Sequence, residues 1–334
     1  MHRPRSDVLR RLNLLLTSSL LLFASQFFGS WACAESESYP ARSVTLVVPF
    51  SAGGFSDILA RLLSQKLSEK WSVPVVVENV VGAGGNLGGL KVSRASPDGY
   101  TLLLANTATN AINQSIFKKM EFDPTQAFVP VVLIVKTPNA IIVNKDLKAS
   151  SLGELIALLK SRPGEFNYGS SGTGTTVQLT GELFQAATGV SIVHVPYKGS
   201  SPVMAALQGN SVQLTFDNSV SWAPLILSGQ VRALAIASSR RSALLPDVPT
   251  TDEAGLKDFE ASSWFGIAVP RGTPDDIVRK LNRDLNDVIR TAEFSDRMKG
   301  GEIVGGTPQA FSAFIDSESE MWGRAVRQSG IEEM

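Results

Sequence analysis

The strongest constraint on this chain is a strand, glycine loop and helix read directly from residues 44 to 71, and then read again near the middle of the sequence. Val44 to Val48 are strongly β-forming and run into Pro49, which cannot donate to a central ladder and so marks the strand's end. Ser51, Ala52, Gly53 and Gly54 are small, and the two glycines allow φ > 0 or a close approach of another group to the backbone. From Ile58 the apolar residues Leu59, Leu62, Leu63, Leu67 and Trp71 mark one buried helical stripe, with Ser56 or Asp57 as the expected N-cap. The second copy has strand Phe166 to Gly169, loop Ser170, Ser171, Gly172, Thr173, Gly174, Thr175 and Thr176, and helix Val177 to Ala187. A helix that starts after such a loop points free N–H groups and the positive end of its dipole at whatever lies above it, which suits an anion. A tight turn without a ligand would explain one such loop; two favour a ligand shared between them.

The N-terminal 34 residues read as a secretory signal. Arg3, Arg5, Arg10 and Arg11 precede an apolar run from Leu12 to Phe28, and Ala32-Cys33-Ala34 is a small-x-small cleavage site before Glu35. The apolar core is short for a membrane span. Ser30-Trp31-Ala32 does not suit a lipoprotein site at Cys33, and Asn13 stands where a twin-arginine signal usually has an aromatic. Cleavage after Ala34 removes Cys33, the single cysteine among 334 residues, so no disulfide, zinc cluster or thiol nucleophile is expected. His194 is then the one remaining histidine, which argues against a histidine metal centre; no cofactor is expected. The remaining 27 basic and 30 acidic residues leave no nucleic-acid footprint. About 300 residues is the size at which single cores divide, so two domains are expected.

Further strands are predicted over Val73–Glu78, Tyr100–Ala105, Val129–Val135, Ala140–Val143, Val212–Phe216, Val231–Ala237 and Trp264–Val269. Their alternation with helices predicts parallel βαβ units. The run Gly82-Ala83-Gly84-Gly85-Asn86-Leu87-Gly88-Gly89 misses the dinucleotide spacing because Leu87 replaces a glycine, and is read as a loop shaping a cleft. Asn106, Thr107 and Thr109 follow a strand's C-terminal end, where ligands sit in open α/β sheets; a capped turn is the competing reading. Ser151 with Glu154 fits a capping box, while Thr273-Pro274 and Thr307-Pro308 fit N-cap and N1 positions of two closing packing helices.

Pro49-Phe50-Ser51-Ala52-Gly53-Gly54-Phe55-Ser56-Asp57 is followed in order by Val77-Glu78-Asn79, Gly82-Ala83-Gly84-Gly85, Pro97-Asp98-Gly99-Tyr100, Val195-Pro196-Tyr197-Lys198-Gly199, Gly229 to Ala235 and Pro270-Arg271-Gly272-Thr273-Pro274. With these motifs, spread over nearly all of the mature chain, the sequence resembles the tripartite tricarboxylate transporter substrate-binding receptors of the Bug (Bordetella uptake gene) family. The resemblance implies a periplasmic binding protein of the type II fold: two α/β lobes with a ligand cleft between them and two crossovers. It implies a monomeric periplasmic receptor for a small organic anion, a mono-, di- or tricarboxylate, delivered to membrane permease subunits. Carried over, it assigns ligand contacts to Ser51–Asp57 and Ser170–Thr176, with Tyr197, Lys198 and Asp217 as further cleft positions. Where many relatives have His at the start of the second helix, this chain has Gln178, and Phe55 is bulkier than the usual Gly or Ser there.

The lobes are expected at 35–141 with 265–334, and at 142–264. Two other functions compete. A ligand sensor docking on a signalling membrane protein would use the same closed form. A serine hydrolase would use Ser171, but Gly169-Ser170-Ser171-Gly172-Thr173 departs from G-x-S-x-G at Thr173.

Overall fold

The computed structural model describes residues 39–329; the expected signal, its expected cleavage site and Cys33 lie outside the described residues. Strand β1 (Val44–Val48) leads through the first glycine loop into α1 (Phe55–Trp71), then β2 (Val75–Asn79), α2 (Asn86–Ser93) and β3 (Thr101–Asn106). Strands β2 and β3 both pair parallel to β1, as βαβ reasoning predicts. The chain continues through β4 (Phe128–Asn144), α3 (Leu152–Ser161), β5 (Asn167–Ser170), α4 (Thr176–Thr188) and β6 (Val193–Pro196). Next come α5 (Ser200–Gln208), β7 (Leu214–Asn218), α6 (Ser219–Leu227), β8 (Val231–Ile236) and β9 (Ser262–Pro270). Helices α7 (Asp275–Ile289) and α8 (Ala292–Arg297), strand β10 (Glu302–Ile303) and helix α9 (Pro308–Ser329) close the chain.

Strand β5 pairs parallel to β6 and β7, so each lobe has a parallel core. The sheets are not parallel throughout, however. Strand β9 runs antiparallel to both β3 and β4, and β4 runs antiparallel to β7 and β8. The two strands that pass between the lobes must reverse the direction set by the βαβ units, and the helix-strand rhythm does not carry that information. Strand β4 also joins two apolar runs read as separate. It pairs with β9 as far as Pro138↔Ser262 and with β7 from Asn139↔Asn218. Pro138 is tolerated because it lies where the chain leaves one ladder for the next. This is the two-lobed α/β fold that the sequence resemblance implies.

Three further expectations change. The helix predicted from Ile58 starts at Phe55, with Gly54 as N-cap. Helix α7 starts after Pro274, whose ψ of 141° keeps it outside, and the Thr273 hydroxyl turns back to the Pro270 carbonyl at 2.8 Å. The glycine run 82–89 is a short turn followed by the helix α2, because its glycines fit against neighbours: a Cβ on Gly88 would come 2.8 Å from Pro49, and one on Gly89 would come 2.6 Å from the Phe122 ring. The Ser151 cap is as read, its hydroxyl accepting the Glu154 N–H at 3.2 Å.

Separate apolar clusters support the two lobes. Val47, Leu103, Ile112, Trp264, Phe311 and Trp322 pack on one side, and Tyr168, Phe184, Phe216 and Phe259 on the other. Helix α7 buries Val278, Leu281, Leu285, Val288 and Ile289 along one stripe. The Gly89 contact yields a stability test. Gly89→Ala should cost about 1–3 kcal/mol by overpacking, lowering the thermal midpoint by about 2–4 °C per kcal/mol; a calorimetric midpoint equal to wild type would show that Phe122 yields freely.

Candidate functional site

Three helix starts meet at the centre of the molecule. The first two are the sequence-predicted loops before α1 and α4. The third, before α5, reads from sequence as a strand end leading into a helix through Gly199-Ser200, and is not among the predicted ligand contacts. They approach closely: the Ser51 N–H donates to the Lys198 carbonyl at 3.2 Å. Gly199 has φ 133°, and a Cβ there would overlap the Ser51 hydroxyl. A Cβ on Gly54 would lie 3.5 Å from Ser200 Cβ, and one on Gly84 would overlap the Thr173 carbonyl. The cleft is closed.

Each loop is locked by the helix that follows it. Asp57 is buried, and its carboxylate accepts from the Gly53 N–H at 3.0 Å, Arg61 Nε at 2.8 Å and Asn79 Nδ2 at 3.1 Å. Burial opposes its charge, but these donors outweigh burial and hold its carboxyl below the usual range. In the second loop Thr175 is the N-cap, accepting from the Gln178 N–H, while Gln178 Oε1 accepts the Gly174 N–H at 2.9 Å. This resembles a capping box displaced by one residue. Gln178 therefore has a job in this chain: it pins the loop.

A cavity of about 40 Å³ lies between the loops. Ser51, Gly54, Phe55 and Ser56 line it from the first loop, Asn106 and Thr107 from the end of β3, and Ser171, Thr175, Thr176 and Asp217 from the second lobe. Ala52, Gly53, Asp57, Thr109, Ser170, Gly172, Thr173, Gly174, Tyr197 and Lys198 do not line it. Gly53 and Asp57 bond to each other, Thr109 bonds to Asn106 and Asn110, and the Lys198 side chain is exposed while its carbonyl meets Ser51. Sequence reasoning missed Phe50, Ala108, Val177, Ser200, Asn218, Ser263, Trp264 and Phe265. Ser200 was findable as a third helix start; Trp264 and Phe265 were read as strand only, without the inference that a crossover strand faces the cleft.

Asp217 is the single ionisable residue among those lining the cavity. Burial pushes its carboxyl up, opposed by the Ser200 hydroxyl, Trp222 Nε1 at 3.0 Å and the Asn218 N–H at 2.7 Å. The Ser51 hydroxyl is buried and has no protein partner, so it remains available to a guest. Behind the cavity a buried polar chain links α4 to the crossing strands. Thr176 Oγ1 lies 2.7 Å from Ser263 Oγ, which bonds Asn139 Oδ1 at 3.2 Å, and Asn139 Nδ2 donates to Thr180 Oγ1 at 2.9 Å. Trp264 is held from the far side, its Nε1 donating to Glu318 of α9 at 2.9 Å. Among the described residues no group of His, Cys, Asp and Glu side chains could hold a metal ion.

A two-lobed α/β body closed over a buried polar cavity defines a solute-binding receptor. The chain belongs to the tripartite tricarboxylate transporter receptor family, whose description matches residues 59–331. Protein BugT of Bordetella pertussis is 37% identical over 305 residues, spanning 90% of this chain and 94% of BugT. Among solved structures, R. palustris Rpa4515 with adipate has a TM-score of 0.87 at 37% identity, covering 89% of this chain and 100% of that one. MatC from Rhodopseudomonas palustris with bound malate has a TM-score of 0.82 at 31% identity, covering 86% and 100%.

Beneath the second loop, His194 Nε2 lies 2.6 Å from Ser170 Oγ and its ring stacks on Tyr168, centroids 5.0 Å apart. Burial pushes the imidazole down to about 4. The unfolded chain takes up this proton near the ordinary value of about 6.5, so between these limits it binds more protons than the folded chain. The stability from a neutral His194 is complete above that window and falls as pH drops through it. Chemical denaturation from pH 7 to 4 should show wild type losing more stability than His194→Gln; parallel curves would contradict the depressed value.

Proposed function

We propose that this protein captures a small carboxylate-bearing organic anion in the periplasm, as a monomer, by closing two lobes, and delivers it to membrane permease subunits of a tripartite tricarboxylate-type transporter. One observation carries the reading: the starts of α1, α4 and α5 converge on a closed cavity whose lining residues include no Lys, Arg or His. Recognition then rests on N–H groups, hydroxyls and helix dipoles. A hydrogen bond to a charged group contributes about 1.5–3 kcal/mol and a dipole end about 0.3–1 kcal/mol. Micromolar affinity needs about 8 kcal/mol. Four or five such contacts sum to about 6–15 kcal/mol, which at its upper end leaves a margin against the cost of ordering and closure. Two relatives of solved structure, one with adipate and one with bound malate, support a carboxylate as the guest.

The contacts we assign are the Ser51–Asp57 loop with Ser51, Gly54 and Ser56 foremost, Asn106 and Thr107, and Ser171, Thr175 and Thr176. Gly53, Asp57 and Gln178 position the loops. We set the lobe limits where β4 and β9 exchange ladder partners, at Pro138/Asn139 and Ala261/Ser262, a few residues before 141/142 and 264/265. Hydrolysis by Ser171 is disfavoured because the imidazole of His194 bonds Ser170, which is fully buried and does not line the cavity.

Calorimetric titration with mono-, di- and tricarboxylates and with neutral amides tests the reading; binding of an amide with no carboxylate bound would overturn it. Gly54→Val tests closure. Gly54 has φ −86°, open to any residue, and the added methyls would enter the gap beside Ser200. Affinity should fall about 100-fold or more, roughly 2.8 kcal/mol, with the thermal midpoint of the free protein little changed. Unaltered affinity would count against the assignment.

A further inference from the structure

The cavity has two unlike walls. The second lobe presents Ser171, Thr175, Thr176, Ser200, Asp217 and Asn218. The first presents aromatic rings beside its glycine loop. Phe55 is the first residue of α1, so its N–H belongs to the free helix start while its ring turns inward, 4% exposed. It stops against Phe265, ring centroids 4.9 Å apart and planes tilted by 48°. Phe265 is itself buried, and Trp264 beside it is fixed from behind by Glu318. This wall is packed from behind. The enclosed space against it is about 40 Å³.

We propose that Phe55, backed by Phe265, sets the ligand class: a compact monocarboxylate with a short apolar body, rather than an extended diacid. The inference rests on the carboxylate-receptor reading above and narrows it. A single carboxylate satisfies the converging helix starts, and the short body meets the rings. A second carboxylate has no cation to meet among the lining residues. Toward the rings it would be stripped of water with no partner. Toward the polar wall it would meet Asp217, whose oxygens already accept from Trp222 and Asn218 and whose neighbours in the cavity lining include no cation. Phe55 is thus a specificity-determining residue, and removing its ring lengthens the space available to the guest.

Propionate, malate, adipate and the neutral propionamide can be titrated calorimetrically into wild type, Phe55→Ser and Phe55→Leu, with a thermal melt of each protein to confirm folding. A single methylene in a fitted apolar pocket changes discrimination by about 10–200-fold. Wild type should therefore bind propionate at least about tenfold more tightly than malate or adipate, and propionamide far more weakly. Phe55→Leu should narrow the preference over adipate, and Phe55→Ser should narrow it by about tenfold or more. If loss of the ring prevents Phe55→Ser from folding, Phe55→Leu, which keeps an apolar side chain, carries the test. Wild-type binding of adipate or malate as tight as propionate would overturn the proposal while leaving the receptor reading intact. An unchanged preference in the folded variants would overturn the role of Phe55. Failure of every carboxylate to bind any of the three proteins would overturn the receptor reading, and this proposal with it.

Discussion

The antiparallel ladder between β4 and β9 is the constraint on which the rest of the molecule depends. Nine residue pairs run from Phe128↔Pro270 to Pro138↔Ser262, with two local shifts of register. The strands then separate, and β4 exchanges this partner for β7 and β8. Both connections between the lobes leave from one end of this ladder, at Pro138 and Ser262. One of these strands also faces the cavity itself, through Ser263, Trp264 and Phe265 of β9.

The electrostatics of the site follow from this placement. Two carboxylates are built into an apparatus suited to a negative guest, and each is spent on the protein. Asp57 is neutralised by Arg61 and tied to Gly53, so it shapes the loop and adds little repulsion. Asp217 takes donors from Trp222 and Asn218 and orders the turn before α6. With no lysine or arginine among the lining residues, the N–H groups must be aimed by their caps. That is why Thr175 and Gln178 matter although one of them never reaches the cavity.

Local chemistry was legible in the sequence and partner-dependent chemistry was not. The Val44–Val48 strand, the Thr175 loop, the Ser151 cap and the Thr307-Pro308 helix start are each specified within a few residues, and they read correctly. The Asn86–Gly89 stretch reads as a loop because glycine is a poor helix former; it is helical because Pro49 and Phe122, distant in sequence, leave room for nothing larger. The direction of β9 is set by the crossover, and no window of sequence contains it. For the same reason Trp264 and Phe265 read only as strand, while the crossover brings both into the cavity lining. Ser200 is the exception: its Gly-Ser-Ser-Pro run reads as a helix entry, and the same signature marks a third helix start at the cavity.

The bond from Trp264 to Glu318 has a practical consequence. Trp264 is one of the residues lining the cavity, the Trp222 indole is bonded to Asp217 on the opposite wall, and Trp322 shares Glu318 with Trp264. Three of the chain's five tryptophans thus stand within two hydrogen bonds of the guest's position. The molecule carries its own optical reporter: a change in intrinsic emission registers arrival at the site without any attached dye.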